Sequence, residues 1–324
     1  ALHAGRTGKP GAADGLVRLA GDTAAPAIVR ATALSLLPRY PGRPALEALR
    51  AALDDRDPLV RRAAVSGHAM VRPSDRARAL ASNLADPVRA VRIEAARLLV
   101  LAGTAALGVH AEAWQRALAE YESVQQALAG QAAAQSNLGT LYAELGRPDE
   151  AVAALREAIR LDPLFVPAYV NLADVERSGA GGETAAEATL RAGLRAMPKA
   201  AALHHALGLS LVRQKRSAEA LAALGRAARM APDDARFGYV YAIALHDTGK
   251  PKEALRELER VLARQPWDRD ARLALVAYRG EAGDAARAEK LLRELAAINP
   301  GDPALSPTRP GATPGSSPEG GMSR

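Results

Sequence analysis

The stretch "NLGTLYAELGRPDEAVAALREAIRLDP", from Asn137 to Pro163, reads as two amphipathic helices joined by the turn Gly146-Arg147-Pro148-Asp149-Glu150. Proline suits the first turn of a helix, where its missing N–H costs nothing, and the acidic residues beside it complement the helix dipole. Gly139 in the first helix allows a close crossing, and Ala151 with Leu155 in the second supplies the surface that crosses it. A helical pair of this size cannot bury its apolar face alone, so the fold depends on whether the unit repeats.

It does repeat. Prolines recur at Pro163, Pro198, Pro232, Pro266 and Pro300, spaced 35, 34, 34 and 34 residues, each after an amphipathic helix. Leu138, Leu172, Leu207, Tyr241 and Leu275 share one phase, followed by Gly139, Ala173, Gly208, Ala242 and Val276. Ala151, Ala186, Ala220, Ala254 and Ala288 share another, with Leu155, Leu190, Leu224, Leu258 and Leu292 four residues on. The turn at Gly249-Lys250-Pro251-Lys252-Glu253 repeats the first one, and Ser217 with Glu219 opens a helix in a similar way. These residues resemble the tetratricopeptide repeat (TPR) family over five repeats, roughly residues 132–300. The second repeat carries one extra residue in Ser178–Gly182, and the fifth departs from the pattern at Val276 and Arg279. A helix around Ala111–Leu128, with Trp114 and Tyr121, resembles the second half of a decayed repeat that seals the N-terminal edge of the array.

Residues 1–103 show a shorter period. Val29-Arg30, Val60-Arg61 and Val91-Arg92 recur every 31 residues, with Ala33, Ala64 and Ala95 in phase and Pro26, Pro58 and Pro87 ahead of each helix. "LRAALDDRDPLVRRAAV", Leu49 to Val65, resembles the HEAT repeat in its short bacterial form, over three units. In residues 301–324, sixteen of 24 positions are glycine, proline, serine or threonine, a composition too poor in apolar surface to offset the entropy of ordering. The expected organisation is therefore all-α: HEAT-like repeats over 1–103, a TPR array of a half repeat plus five repeats over 104–300, and a disordered tail over 301–324. Together these should form one elongated, curved superhelix with contacts mostly between neighbours.

Composition agrees with an all-helical chain and narrows its chemistry. Apolar residues make up 48% and aromatics only 3%, with alanine abundant, so small side chains suit closely packed helices and strand formers are scarce. The absence of cysteine removes disulfides, thiolate metal sites and cysteine nucleophiles, and leaves the redox compartment open. No apolar run approaches the ~18 residues of a membrane-crossing helix, and no signal peptide is legible. The chain opens on Ala1, which suits a processed product or a fragment. The net charge of +7 lies entirely in residues 1–103, with 16 Lys and Arg against 9 Asp and Glu; the remainder carries 27 of each.

No phosphate loop, nucleophile elbow, His-Glu-x-x-His or calcium loop is present, so no catalytic residue, cofactor or metal is expected and the chain reads as a non-enzyme. Gly179–Gly182 reads as a turn. Asp54-Asp55-Arg56-Asp57 reads as helix capping, paired with arginines such as Arg61 and Arg92. The histidines lack a third ligand in phase for a metal or haem.

The resemblance to TPR arrays implies that the first helix of each pair lines a concave groove. The inward phase contributes Ser136, Thr140, Val170, Asp174, Arg177, His205, Leu209, Arg213, Tyr239, Ile243 and His246, with Arg236 at the rim. An apolar floor ringed by arginine and histidine suits an extended or helical peptide with acidic and hydrophobic side chains. The lysine and asparagine pattern of carboxylate-clamp TPR domains is missing.

The expected function is thus a protein-interaction scaffold that binds a protein or peptide in this groove. Another reading takes Arg30, Arg61, Arg62, Arg89 and Arg92 as a phosphate-contacting stripe, although Tyr40 is the only aromatic there to stack a base. The runner-up to the scaffold, ahead of nucleic-acid binding, follows from the order of repeats with "HHALGLSLVRQKRSAEALAAL" (His204–Leu224), which resembles the C-terminal part of bacterial multihaem cytochrome c proteins with TPR tails. That resemblance implies the interaction half of a periplasmic electron-transfer protein; it carries no haem-attaching Cys-x-x-Cys-His here. The exposed edge of the last helix, Ala285–Ile298, is expected to offer a route to self-association.

Overall fold

The computed structural model describes residues 1–306, and within them the chain is helical with no strand. The N-terminal third consists of α1 (Leu2–Thr7), α2 (Ala12–Gly21), α3 (Ala27–Leu36), α4 (Arg43–Ala51), α5 (Pro58–Gly67), α6 (Pro73–Leu80), α7 (Arg89–Leu99) and the short α8 (Thr104–Leu107). It is followed by α9 (Ala111–Ala127), and then by five helical pairs: α10 (Ala132–Glu144) with α11 (Pro148–Leu161), α12 (Val166–Ser178) with α13 (Gly182–Ala196), α14 (Ala201–Arg213) with α15 (Ser217–Met230), α16 (Ala235–Asp247) with α17 (Pro251–Arg264), and α18 (Arg269–Glu281) with α19 (Ala285–Ile298).

The pairs form as the sequence dictates. Pro148 and Pro251 occupy the first turn of α11 and α17. At Gly139 and Gly208 an added Cβ would lie 2.5 and 2.6 Å from the side chains of Leu155 and Leu224, so only a hydrogen permits the crossing. The turn between paired helices needs one residue in the left-handed region. Glycine supplies it at Gly146, Gly249 and Gly283, whereas Lys215 takes φ 61° in the third pair as the sole non-glycine with positive φ among the described residues. The extra residue of the second repeat is absorbed at the start of α13, where Gly182 is left-handed.

Neighbouring first helices pack on one another, α10 on α12, α12 on α14 and α16 on α18, while the second helices stand apart, so the array bends around its first helices. α14 and α16 meet less closely than those pairs. Phe237 on α16 stands where other repeats carry Ala134, Ala168, Leu203 or Ala271, and its ring meets that of His205 between the two helices.

In the N-terminal third a single core runs from Ala12 to Leu118 and includes Leu16, Leu34, Leu49, Val60, Leu80 and Leu99. α9 belongs to it: Trp114, Ala117 and Leu118 are buried there, and Trp114 Nε1 donates to Ala96 O at 3.0 Å. α9 thus lies between the two regions, with α7 packed on one side and α10 on the other, and Leu141 of α10 joins the same core.

The ends of the chain meet. Gly11 N donates to Ala297 O at 2.8 Å, Asn299 Nδ2 donates to Pro41 O at 2.8 Å, and Ile298 is buried in the N-terminal core. Gly8 is left-handed (φ 59°), and a Cβ there would fall 2.1 Å from Trp267 Cβ, so both its conformation and the close approach require glycine. An elongated solenoid with an open last edge was expected; instead the last turn of α19 meets the N-terminal helices of the same chain, while the rest of that helix stays largely exposed. The tail expected from residue 301 is ordered at its start. The Asp302 side chain is fully buried and accepts from Arg269 at 2.7 and 2.9 Å, and Pro303–Leu305 form a 3-10 turn. The remainder of that segment, 307–324, lies outside the described residues.

Candidate peptide-binding groove

Of the residues expected to line the groove, five come together. Val170, Asp174, His205, Leu209 and Arg213 line one cavity of about 320 Å3 between α12, α13, α14 and α16, with the rim residue Arg236 and Phe237 completing it. Helical phase explains this: Val170 and Asp174, then His205, Leu209 and Arg213, lie four residues apart and share a face.

His205 is the centre of the site. It is 94% buried at 6% relative exposure, and neither ring nitrogen has a hydrogen-bond partner among the described residues. Burial, followed by the positive charge of Arg236, lowers its pKa to about 4, so at neutral pH the ring offers one donor and one acceptor. Its ring lies 4.8 Å from that of Phe237, centroid to centroid, tilted by 40°. Unpaired buried polar atoms cost on the order of 1–3 kcal/mol each, so a group that reaches these nitrogens through the cavity, whether water or a side chain of a partner, is favoured.

The charged groups divide into committed and free. Arg213 bonds Glu183, which also accepts from Ser210 Oγ at 2.6 Å, and those bonds outweigh burial to keep the Glu183 carboxyl below the usual range. Arg177 lies 4.0 Å from Asp174 with its Nε buried and without a hydrogen bond. Asp174 keeps 65% of its side-chain surface exposed, yet protein encloses it on the inner face, and the loss of surrounding water raises its pKa despite Arg177 and Arg213. Arg236 makes no ion pair among the described residues; only its backbone N is engaged, with the capping Asp234 at 3.1 Å. The rim position read for Arg236 in the sequence is thus the site's available cation.

The other expected residues lie elsewhere. Thr140 bonds Ser136 O at 3.0 Å and accepts from Asn171 Nδ2 at 3.2 Å, and it lines a separate cavity of about 380 Å3 against α7 and α9 with Arg97 and Tyr121. His246 stacks on Tyr278 at 3.7 Å and 4° and bonds Glu281 Oε2 at 2.8 Å, so it links α16 to α18. Tyr239 packs into the core of the fourth and fifth repeats, and Ile243 is half-buried on the same helix. The wrapped spacing of repeats extends the inner face over several helices, and sequence phase alone does not show where that face opens into a cavity.

The arginines of the suggested phosphate stripe are mostly consumed by the fold. Arg30 pairs with Asp55, Arg61 holds Asp86 at 2.7 and 3.0 Å, and Arg92 holds Glu120 at 2.9 Å; Arg89 lies 3.7 Å from Glu120. The capping expected of the acidic cluster is present, since Asp57 accepts from Leu59 N at 2.9 Å, but its pairing differs. Asp55 takes the arginine of the preceding unit rather than Arg61 or Arg92, because each Val-Arg arginine reaches forward to the carboxylate of the next layer. His204, adjacent to His205, points to the other face of α14 and bonds Pro198 O at 2.9 Å. Among the described residues no cluster of three potential metal ligands occurs, and no helix is long and apolar enough to cross a membrane.

Comparison with known proteins agrees with the pairing of helices from α10 onward. Family models described as tetratricopeptide repeat match residues 132–165, 177–235, 205–266 and 245–306. No curated protein matches the chain. Similar solved structures include MamA from Desulfovibrio magneticus RS-1, at 18% identity over 52% of this chain and 94% of that one, with a TM-score of 0.42. PilF of Pseudomonas aeruginosa is 23% identical over 51% of this chain and 75% of its own, with a TM-score of 0.44. YrrB, described as a TPR protein with an unusual peptide-binding site, is 22% identical over 57% of this chain and 94% of its own, with a TM-score of 0.40. The matches to residues 132–165 and 177–306 together span half of the chain, which belongs to the tetratricopeptide repeat family.

Proposed function

We propose that the protein is a non-catalytic interaction scaffold that binds an extended segment of a partner protein across its first-helix face, with the His205 cavity as the specificity-giving subsite. The observation that carries this reading is the buried imidazole with two unpartnered nitrogens facing a cavity. A solvated surface histidine would find water at no cost; one that is 94% buried gains by receiving a ligand group. Leu209, Val170 and Phe237 supply the apolar contact, and Arg236 supplies a cation with no ion-pair partner, so the favoured segment places an acidic side chain beside an apolar one.

A test is a peptide display selection on the full chain, with the enriched peptides titrated against Arg236→Glu and His205→Phe. The reading expects enriched acidic–apolar pairs whose affinity falls about tenfold or more in each variant. Peptides that bind both variants as tightly as the parent would place the working surface elsewhere.

A further inference from the structure

α14 has a second working face. His204, Leu207 and Leu211 point away from the His205 cavity into a groove between α13 and α15, on the second-helix side of the array, with a volume of about 740 Å3. The same groove recurs one repeat later between α15 and α17, at about 580 Å3, built from equivalent positions 34 residues on. Leu207 and Leu211 correspond to Tyr241 and Leu245, Pro198 to Pro232, and Arg195 to Arg229.

Several positions differ, and three of them bring charge into the second groove. Ala222, Ala223 and Met230 in the first groove are replaced by Arg256, Glu257 and Arg264 in the second. There Glu257 is buried and paired with Arg260, and Arg264 reaches Asp233 at 3.2 Å, so the groove is occupied by the protein's own charged side chains. In the first groove nothing takes their place. The alanines leave an apolar floor, and Met230 is 42% exposed at its edge.

The charge around this floor is one-sided. Arg195 and Arg226 make no ion pair among the described residues, although Arg226 stands where Arg260 finds Glu257 in the next repeat. Arg191 and the single acid, Glu219, are engaged with Glu187 and Arg216. The missing carboxylate opposite Arg226 is thus a vacancy that the fold fills for itself one repeat later.

We propose that this outer groove docks an acidic amphipathic helix of a partner protein, with large apolar side chains seated over Ala222 and Ala223 and carboxylates meeting Arg195 and Arg226. The site is independent of the His205 cavity, and the two faces of α14 together would let the scaffold hold two partners at once.

The test uses the full chain and a labelled synthetic amphipathic helix with leucines on one face and glutamates flanking it, compared with the same helix carrying lysines. Binding is expected for the acidic helix only, and it weakens as salt rises. Ala223→Glu rebuilds the Glu257–Arg260 pair in the empty groove, a substitution the next repeat already accommodates, and should weaken binding about tenfold or more, as should Arg226→Glu. His205→Phe should leave it unchanged. Equal binding of the lysine helix, or undiminished binding to a folded Ala223→Glu protein, overturns the proposal. So does concentration-dependent dimerisation that Ala223→Glu abolishes, since the occupant would then be a second copy.

Discussion

The N-terminal stack and the tetratricopeptide array are both built from helical pairs, but they differ in how regularly arginine ties one layer to the next. In the stack, Arg30, Arg61 and Arg92 are half-buried to buried struts, each joined to a carboxylate 25 to 28 residues ahead, so the charges hold one layer to the next. In the array, layers are joined mainly by small-residue crossings and leucines; its arginines pair within their own helix, as Arg160 does with Glu157, or with a neighbouring helix, as Arg213 does with Glu183, while Arg195, Arg226 and Arg236 make no ion pair among the described residues. The arginines that recur every 31 residues thus hold layers together, and the basic excess of the first 103 residues resides on others, such as Arg18, Arg50 and Arg62, that make no ion pair among the described residues.

The sharpest way to break this comparison is to cut a strut. Arg61→Ala leaves Asp86, with 4% of its side-chain surface exposed, without its partner, and should destabilise the N-terminal stack by about 3 kcal/mol; chemical denaturation checks it. A loss no larger than that of the exposed pair variant Arg160→Ala, within about 0.5 kcal/mol, would mean the ladder is decorative.

The two halves should also answer acid differently. Burial would raise the carboxyl of Asp86, but its bonds from Arg61 and the Val88 N–H, at 2.8 Å, outweigh this and hold its pKa low, as Arg30 does for Asp55. Their contribution is present above the ordinary aspartate pKa and is lost as pH falls through their lowered values. His205 has its pKa depressed by burial from 6.5 to about 4, so the unfolded chain binds the extra proton first and stability is lost earlier, as pH falls from about 6.5 towards 4. The full loss amounts to roughly 3 kcal/mol. Asp174, Glu257 and Asp268, whose pKa values are raised by burial, act in the opposite sense. The His205 part is therefore read as the difference between the parent and His205→Phe in hydrogen exchange of α14 across this window. No difference would show that water already satisfies the ring.

The smallest effect concerns the array's regularity. Lys215 holds the left-handed turn position that glycine holds at Gly146, Gly249 and Gly283. Lys215→Gly should stabilise the third repeat by about 0.5–1 kcal/mol, measured by thermal unfolding, because the strain of a side chain at positive φ exceeds the added flexibility of glycine in the unfolded chain.

Much of the architecture was legible before any coordinates. Local periodicity specifies a helix, and a small residue repeated every 34 positions specifies how two helices cross, so the five pairs and their turns follow from spacing in the chain. The inner phase placed Asp174, His205, Leu209 and Arg213 on one face for the same reason. What the sequence could not decide depends on distances between residues far apart in the chain. Whether a face is a wall or a cavity turns on the separation of α14 and α16, between which Phe237 meets His205. Which arginines are free turns on carboxylates reached across layers, such as Asp86 for Arg61. That the two ends close on each other, through Asn299 and Pro41, depends on curvature summed over every repeat, a quantity that no single motif carries.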